Sequence, residues 1–208
     1  MISRSFYNFI LGGCIFWGFA INYIICVFFS EYVLMINPVV LLVGYFILAL
    51  IGIFMSKLSN NALVSFIGFN FVVVPIGAVL SIVLAEYKSS TNIVIEAIAI
   101  TGIVALVITI LSIIKPELFK NMGKVLFISL GLLVICELVL VLFTHKVPII
   151  LEWIACGIFC GYIGFDISKA QYETPTVDNA VDMAVSLYLD IVNLFLRILK
   201  ILGEIKKK

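Results

Sequence analysis

Charge is scarce in this chain. Asp, Glu, Lys and Arg make up 12% of its 208 residues, against about a quarter in soluble domains. Neither sign is in excess, and a net charge of +1 excludes the basic surface that nucleic acid requires. There is one histidine, His145, beside Lys146, where a solvated loop residue is expected. The five cysteines (Cys14, Cys26, Cys136, Cys156, Cys160) all fall in apolar runs without metal-ligand spacing to histidine, which favours helix packing over a redox or metal role. What is abundant is apolar: 64% of residues are hydrophobic. A soluble globule of this size cannot hide that much apolar surface, so the surrounding solvent is lipid.

A spanning helix needs about 20 mostly apolar residues, and the sequence offers seven such segments: 6–29, 36–55, 62–85, 92–114, 124–143, 148–174 and 181–203. The first is longer than the ~7–15-residue apolar core of a signal peptide, so a retained helix is expected. Turn and charge signals separate the segments: Asn37-Pro38, Lys57 to Asn61, Glu86 to Asn92, Lys115-Pro116-Glu117 and Thr144 to Pro148. Proline disfavours a helical residue before it, which suits Pro116 and Pro148 as boundaries. Pro75 falls inside the third segment, where a kink is expected. The links are short and no internal repeat is visible, so one integral membrane domain over 1–208, an all-α seven-helix bundle, is the expected fold. Lipid is its first partner. Lysine and arginine counts in the loops set Arg4, Lys57, Lys115, Lys120, Lys124 and Lys169 against Lys88 and Lys146, which predicts a cytoplasmic N-terminus in a cell membrane. The terminal lysines (Lys200, Lys206, Lys207, Lys208) do not fit either side cleanly.

Against this background two acids stand out. Asp166 and Asp190 lie in the last two segments, and an ionisable group at membrane depth costs at least ~2.5 kcal/mol on insertion scales. A hairpin turning near residue 178 sets them level, roughly 12–15 Å from the membrane edge. If they meet, both cannot ionise cheaply and one proton is shared. Asp182, Ser186, Asp190, Asn193, Arg197, Lys200 and Glu204 follow at spacings of three and four, a single helical stripe. Such a stripe is either enclosed by other helices or lines a wet pathway. Asn193 is placed to hydrogen-bond Asp190, whereas Arg197, two turns on, is too far for a direct pair. On the sixth segment Gly157, Gly161, Gly164 and Ser168 form a small-residue stripe that admits a close neighbour, and the seventh segment is the candidate. Glu137, well inside the fifth segment, is a candidate pathway acid. Glu96 and Glu152 read as interfacial, and Glu173 and Asp182 as an acidic mouth or a solvated loop. Two carboxylates suit Ca²⁺ only as a weak, transient site.

The run Tyr162-Ile-Gly-Phe-Asp166, followed by Ser186-Leu-Tyr-Leu-Asp190-Ile-Val-Asn193-Leu-Phe195-Leu, resembles the C-terminal signature of the transmembrane Bax inhibitor motif family. The third segment, with Pro75-Ile76, and the seven-helix plan are also similar. The resemblance implies a central seventh helix wrapped by the other six. It implies a pH-sensitive Ca²⁺ leak with Asp166 and Asp190 as the proton-responsive latch, and no cofactor beyond the permeant calcium ions and protons. Some members place a base near the inner end of the second helix, and Lys57 is the residue here that matches. Eukaryotic relatives restrain cell death, and some bacterial relatives bind and restrain a membrane protease; the chain resembles a small bacterial member. The functions to separate are therefore a cation leak channel, a regulator of another membrane protein, and a proton-coupled transporter. An intramembrane protease is disfavoured, since no GxGD-like motif surrounds Asp190, and no enzymatic activity is expected.

Overall fold

The computed structural model describes residues 1–206, so Lys207 and Lys208, half of the tail whose side the charge count leaves open, lie outside the described residues. The chain is helical almost throughout: α1 (Arg4–Leu34), α2 (Pro38–Leu58), α3 (Ala62–Ala85), α4 (Thr91–Ile114), α5 (Gly123–Thr144), α6 (Ile149–Tyr172) and α7 (Val177–Lys206). Six of these, α1 to α6, are long and apolar enough to cross a membrane. The seventh, α7, is a 30-residue helix that carries the polar stripe. The seven expected segments thus appear as seven helices, six of them apolar enough to span and the last one polar-striped.

Local chemistry explains the boundaries. Asn37 and Asn61 each cap a helix, their side-chain oxygens accepting from Val39 N–H at 2.9 Å and Leu63 N–H at 3.0 Å; Pro38 occupies the first turn of α2, where its missing donor costs nothing. At the end of α5, His145 adopts a left-handed conformation (φ 53°) and its N–H bonds Val141 O, closing the helix as a C-terminal cap. The start of α7 falls at Val177 rather than 181. Thr176 supplies the reason: its hydroxyl accepts from the Asn179 N–H at 3.1 Å, an N-cap three residues before its partner. Within α1, Ile25–Phe29 form one wide π turn, a local expansion the hydrophobic pattern does not announce.

The chain divides into two compact units, residues 1–89 with 173–188, and residues 90–172 with 189–208. In the first, α2 and α3 pack through facing glycines: a Cβ on Gly68 would stand 2.6 Å from the Gly52 carbonyl oxygen. The first half of α7 is held by Tyr188, which meets the edge of Phe69 at 5.6 Å between centroids and accepts from Asn22 Nδ2 at 2.5 Å; Gly18 clears space for its ring. In the second unit, α4 and α5 pack on α6. Here the small-residue stripe of α6 meets a different neighbour from the one expected. Gly164 faces Phe119 and Gly161 faces Leu126, while Gly123 faces Phe165. Ser168 Oγ donates to Pro116 O at 3.2 Å. The stripe therefore admits the turn at 116–119 and the start of α5, which correctly replaces the seventh helix as the partner. Gly157 has open space around it.

Candidate functional site

In the second unit, α6 and the latter half of α7 carry the two aspartates. Both are buried, Asp166 at 8% and Asp190 at 9% exposure, and their carboxyl groups lie within hydrogen-bonding reach of each other. A hydrogen bond between two carboxyl groups contains a proton, since two carboxylates offer only acceptors. Asp190 Oδ2 is buried with no hydrogen-bond partner among the described residues.

The geometry that brings the pair together differs from an equal-armed hairpin. The non-helical link is 173–176, so equal arms would set Asp166 level with residue 183. Asp166 also lies only six residues from the end of α6, about 9 Å, nearer the helix end than the 12–15 Å expected. Four extended residues reach about 13 Å, enough to absorb the seven-residue offset that lets Asp190 meet it. Asn193 does not serve Asp190: its amide donates to Leu189 O at 2.8 Å, the one-turn backbone bond that a mid-helix polar side chain readily takes.

Further along the same stripe, Arg197 joins three helices. Its guanidinium grips Glu137 of α5 with two bonds, at 2.5 and 3.1 Å, and Glu152 of α6 with one, at 2.8 Å. Lys200 binds the other Glu152 oxygen. Glu152 lies in the first turn of α6, near the segment end as expected, and is enclosed by protein at 1% exposure. The missed signal was on α7: two bases on one face of a membrane helix need buried acids, and Glu152 is one of few the chain offers. Buried acids persist where paired and hydrogen-bonded on both oxygens, as here. Glu96, by contrast, pairs with Lys206 at 2.7 Å with both side chains well exposed.

The first unit holds a separate polar cluster. Asp182 is part of helix α7, not of a loop; its carboxylate accepts from Ser56 Oγ and its carbonyl from Lys57 Nζ at 3.3 Å. Asp178 accepts from Ser65 Oγ at 2.6 Å. Ser56 and Ser65 were not anticipated, because buried serines on apolar helices read as packing residues until an acid is seen opposite. Lys57, the candidate latch base, is engaged with Asp182. Ser186 is half-buried on the same helix face. Arg4 Nη2 donates to Glu173 O at 2.8 Å and Ile2 N–H to Pro175 O at 2.8 Å, which fixes the link before α7. Among the described residues no three His, Cys, Asp or Glu side chains gather as a metal cluster.

A family profile, Inhibitor of apoptosis-promoting Bax1, matches residues 1–207. The chain belongs to this Bax inhibitor family. It is a multi-pass membrane protein of that family, since six of its helices are apolar enough to span. It is 34% identical over 164 residues to a Helicobacter pylori protein, covering 76% of this chain and 68% of the relative. It is 31% identical to mouse protein lifeguard 4 over 116 residues, 55% of this chain and 48% of that one. It is 32% identical to fission-yeast Bax inhibitor 1 over 120 residues, 56% and 44% respectively. The match thus spans about half the length of the mouse and yeast relatives. The C-terminal signature that first suggested the family carries both members of the buried aspartate pair.

Proposed function

We propose that this Bax inhibitor family protein is a pH-sensitive calcium leak channel of a cell membrane, gated by Asp166 and Asp190. One observation supports the reading: two buried carboxyl groups on adjacent helices lie within hydrogen-bonding reach, and in this reading they share a proton. Forming that contact takes up a proton, so raising the pH weakens it and leaves two repelling charges that drive α6 and α7 apart locally. In this reading α7 is the central helix of the bundle, a role supported by the buried positions that recur along it, and its polar stripe lines the route. Asp166 and Asp190 supply two of the six to eight oxygens that Ca²⁺ takes, so the ion passes through with water and no cofactor is retained. Glu137 supports the route within the second unit, while Asp182 and Ser186 belong to the stripe of the first, where Lys57 is held by the Asp182 carbonyl. The N-terminus faces the cytoplasm, as the loop charges favour. No bond-making or bond-breaking activity is assigned. The test is Ca²⁺ flux into dye-loaded liposomes across pH 5 to 8. Flux above empty liposomes, with a pH profile that Asp166→Asn and Asp190→Asn flatten, is expected. No flux, or an unaltered profile in both variants, defeats the reading.

A second reading rests on the relatives. One is called Bax inhibitor 1 and others Golgi anti-apoptotic protein, names that describe restraint of another process. As a regulator of a membrane-protein partner, such as a protease or cell-death factor, this chain would keep its effect in both Asn variants and co-purify with that partner.

A further inference from the structure

Arg197 is the most elaborately held charge in the second unit and the aspartate gate does not use it. It shares the polar stripe of α7 with Asp190 and lies seven residues on, about 10 Å along the helix. Three bonds fix its guanidinium between Glu137 and Glu152, and Lys200 completes the set on the remaining Glu152 oxygen. The packed groups facing it are therefore two acids and one further base, with the Cys156 thiol also near. Along α6, Glu152 and Asp166 are fourteen residues apart, about 21 Å, so the ion-pair knot and the aspartate pair are two distinct stations on the same two helices. A fixed guanidinium on the stripe is a tethered cation, and it repels a mobile one that follows the acids. Long Arg and Lys side chains can also swing aside once their acids are lost, which a packed apolar plug cannot do.

We propose that Arg197, clamped by Glu137 and Glu152, is a second closure of the conduction path, in series with the aspartate pair and held by ion pairs instead of a shared proton. This rests on the leak reading above. It makes Arg197 a gate residue and a charge filter, and gives Glu137 and Glu152 the task of holding it in place.

The test uses the full chain in liposomes, with its five cysteines replaced and Arg197→Cys added, compared with the cysteine-free parent. Removing the guanidinium should raise Ca²⁺ flux about fivefold or more at the pH where the parent is closed, the scale of a 1–3 kcal/mol coupling. Treatment with 2-aminoethyl methanethiosulfonate, which restores an ammonium at that position, should close the path again; a purely structural arginine would give no such rescue. Arg197→Gln with Glu137→Gln and Glu152→Gln, which leaves no buried acid unpaired, should leak likewise if the single variant folds poorly. Flux in the parent with no rise in any of these variants overturns the closure while leaving the aspartate gate standing. A silent parent with a leaky Arg197 variant supports the closure and removes the aspartates as sole gate. Silence in every chain overturns both. A rise that the ammonium reagent does not reverse also overturns the closure.

Discussion

Replacing Gly52 with alanine should pull apart the α2–α3 pair, and the structure sets the size of the effect. Gly52 and Gly68 face each other across the crossing, and the nearest atom a new methyl would meet is backbone on either side: the Gly68 oxygen for Gly52, and the Gly52 oxygen at 2.6 Å for a Cβ built on Gly68. A carbon sits about 3.3–3.6 Å from a carbonyl oxygen at close contact, so the helices must part by about 0.7 Å or more. Backbone cannot rotate away as a side chain does. A gap of 0.5–1 Å forfeits a quarter to a half of each dispersion contact, and overpacking of this kind costs about 1–3 kcal/mol. Alanine's better helix propensity returns about 1 kcal/mol, leaving a net loss of up to about 2 kcal/mol, against a gain of about 1 at an open site. Gly52→Ala with Gly68→Ala should cost less than twice the single change, because the helices have already parted for the first methyl. The assay is the thermal midpoint of the detergent-solubilised protein, followed by loss of the monodisperse peak. Gly44→Ala and Gly131→Ala, whose surroundings are open, are the controls and should hold or gain stability. A Gly52→Ala midpoint equal to that of Gly44→Ala would refute the reasoning. The change also reaches the polar cluster, since Ser56 and Ser65, which bind Asp182 and Asp178, ride on the two helices being separated.

On α6, Gly161→Leu should destabilise because Leu126 already fills that space, whereas Gly157→Ala should be neutral; equal melting of the two variants would show that the sequence stripe matters as a unit. Glu152→Ala should lower the thermal midpoint far more than Glu96→Ala, because breaking a buried pair costs about 3–5 kcal/mol and an exposed one about 0–1; similar shifts would mean water reaches Glu152. Asp190→Asn removes the proton requirement from the aspartate contact, so flux should lose its pH dependence between pH 5 and 8, and a retained slope would assign the titration elsewhere. Thr176→Ala should fray the first turn of α7 at a cost of about 1 kcal/mol, read as faster amide exchange at 177–180; unchanged exchange would show that Asn179 alone fixes the turn.

Much of the architecture was legible from hydrophobic run length, since lipid admits few alternatives to a helix. The predicted segments agree with the observed helices to a few residues, and the differences have local causes: the Thr176 cap for α7 and a wide turn for α1. The aspartates were legible because an acid in an apolar run is conspicuous. Their neighbours were not. Spacing pointed Asn193 at Asp190, but a backbone carbonyl one turn back is always nearer. It gave Glu152 no partner, because position along one helix says nothing of what the next helix offers. It matched the glycine stripe to α7, because a small-residue face announces a close neighbour without naming it.

Sequence by itself determined that this protein lives in lipid as helices, and which few charges it places in them at cost. It determined these because burial in hydrocarbon and backbone hydrogen bonding are properties of each segment alone. Only the tertiary structure decided which charges meet: that Asp166 finds Asp190 despite unequal hairpin arms, that Arg197 is shared by Glu137 and Glu152, and that Gly161 and Gly164 receive Leu126 and Phe119. Pairing depends on helix offset and rotation, which connecting links and side-chain packing set between segments and which no single segment encodes.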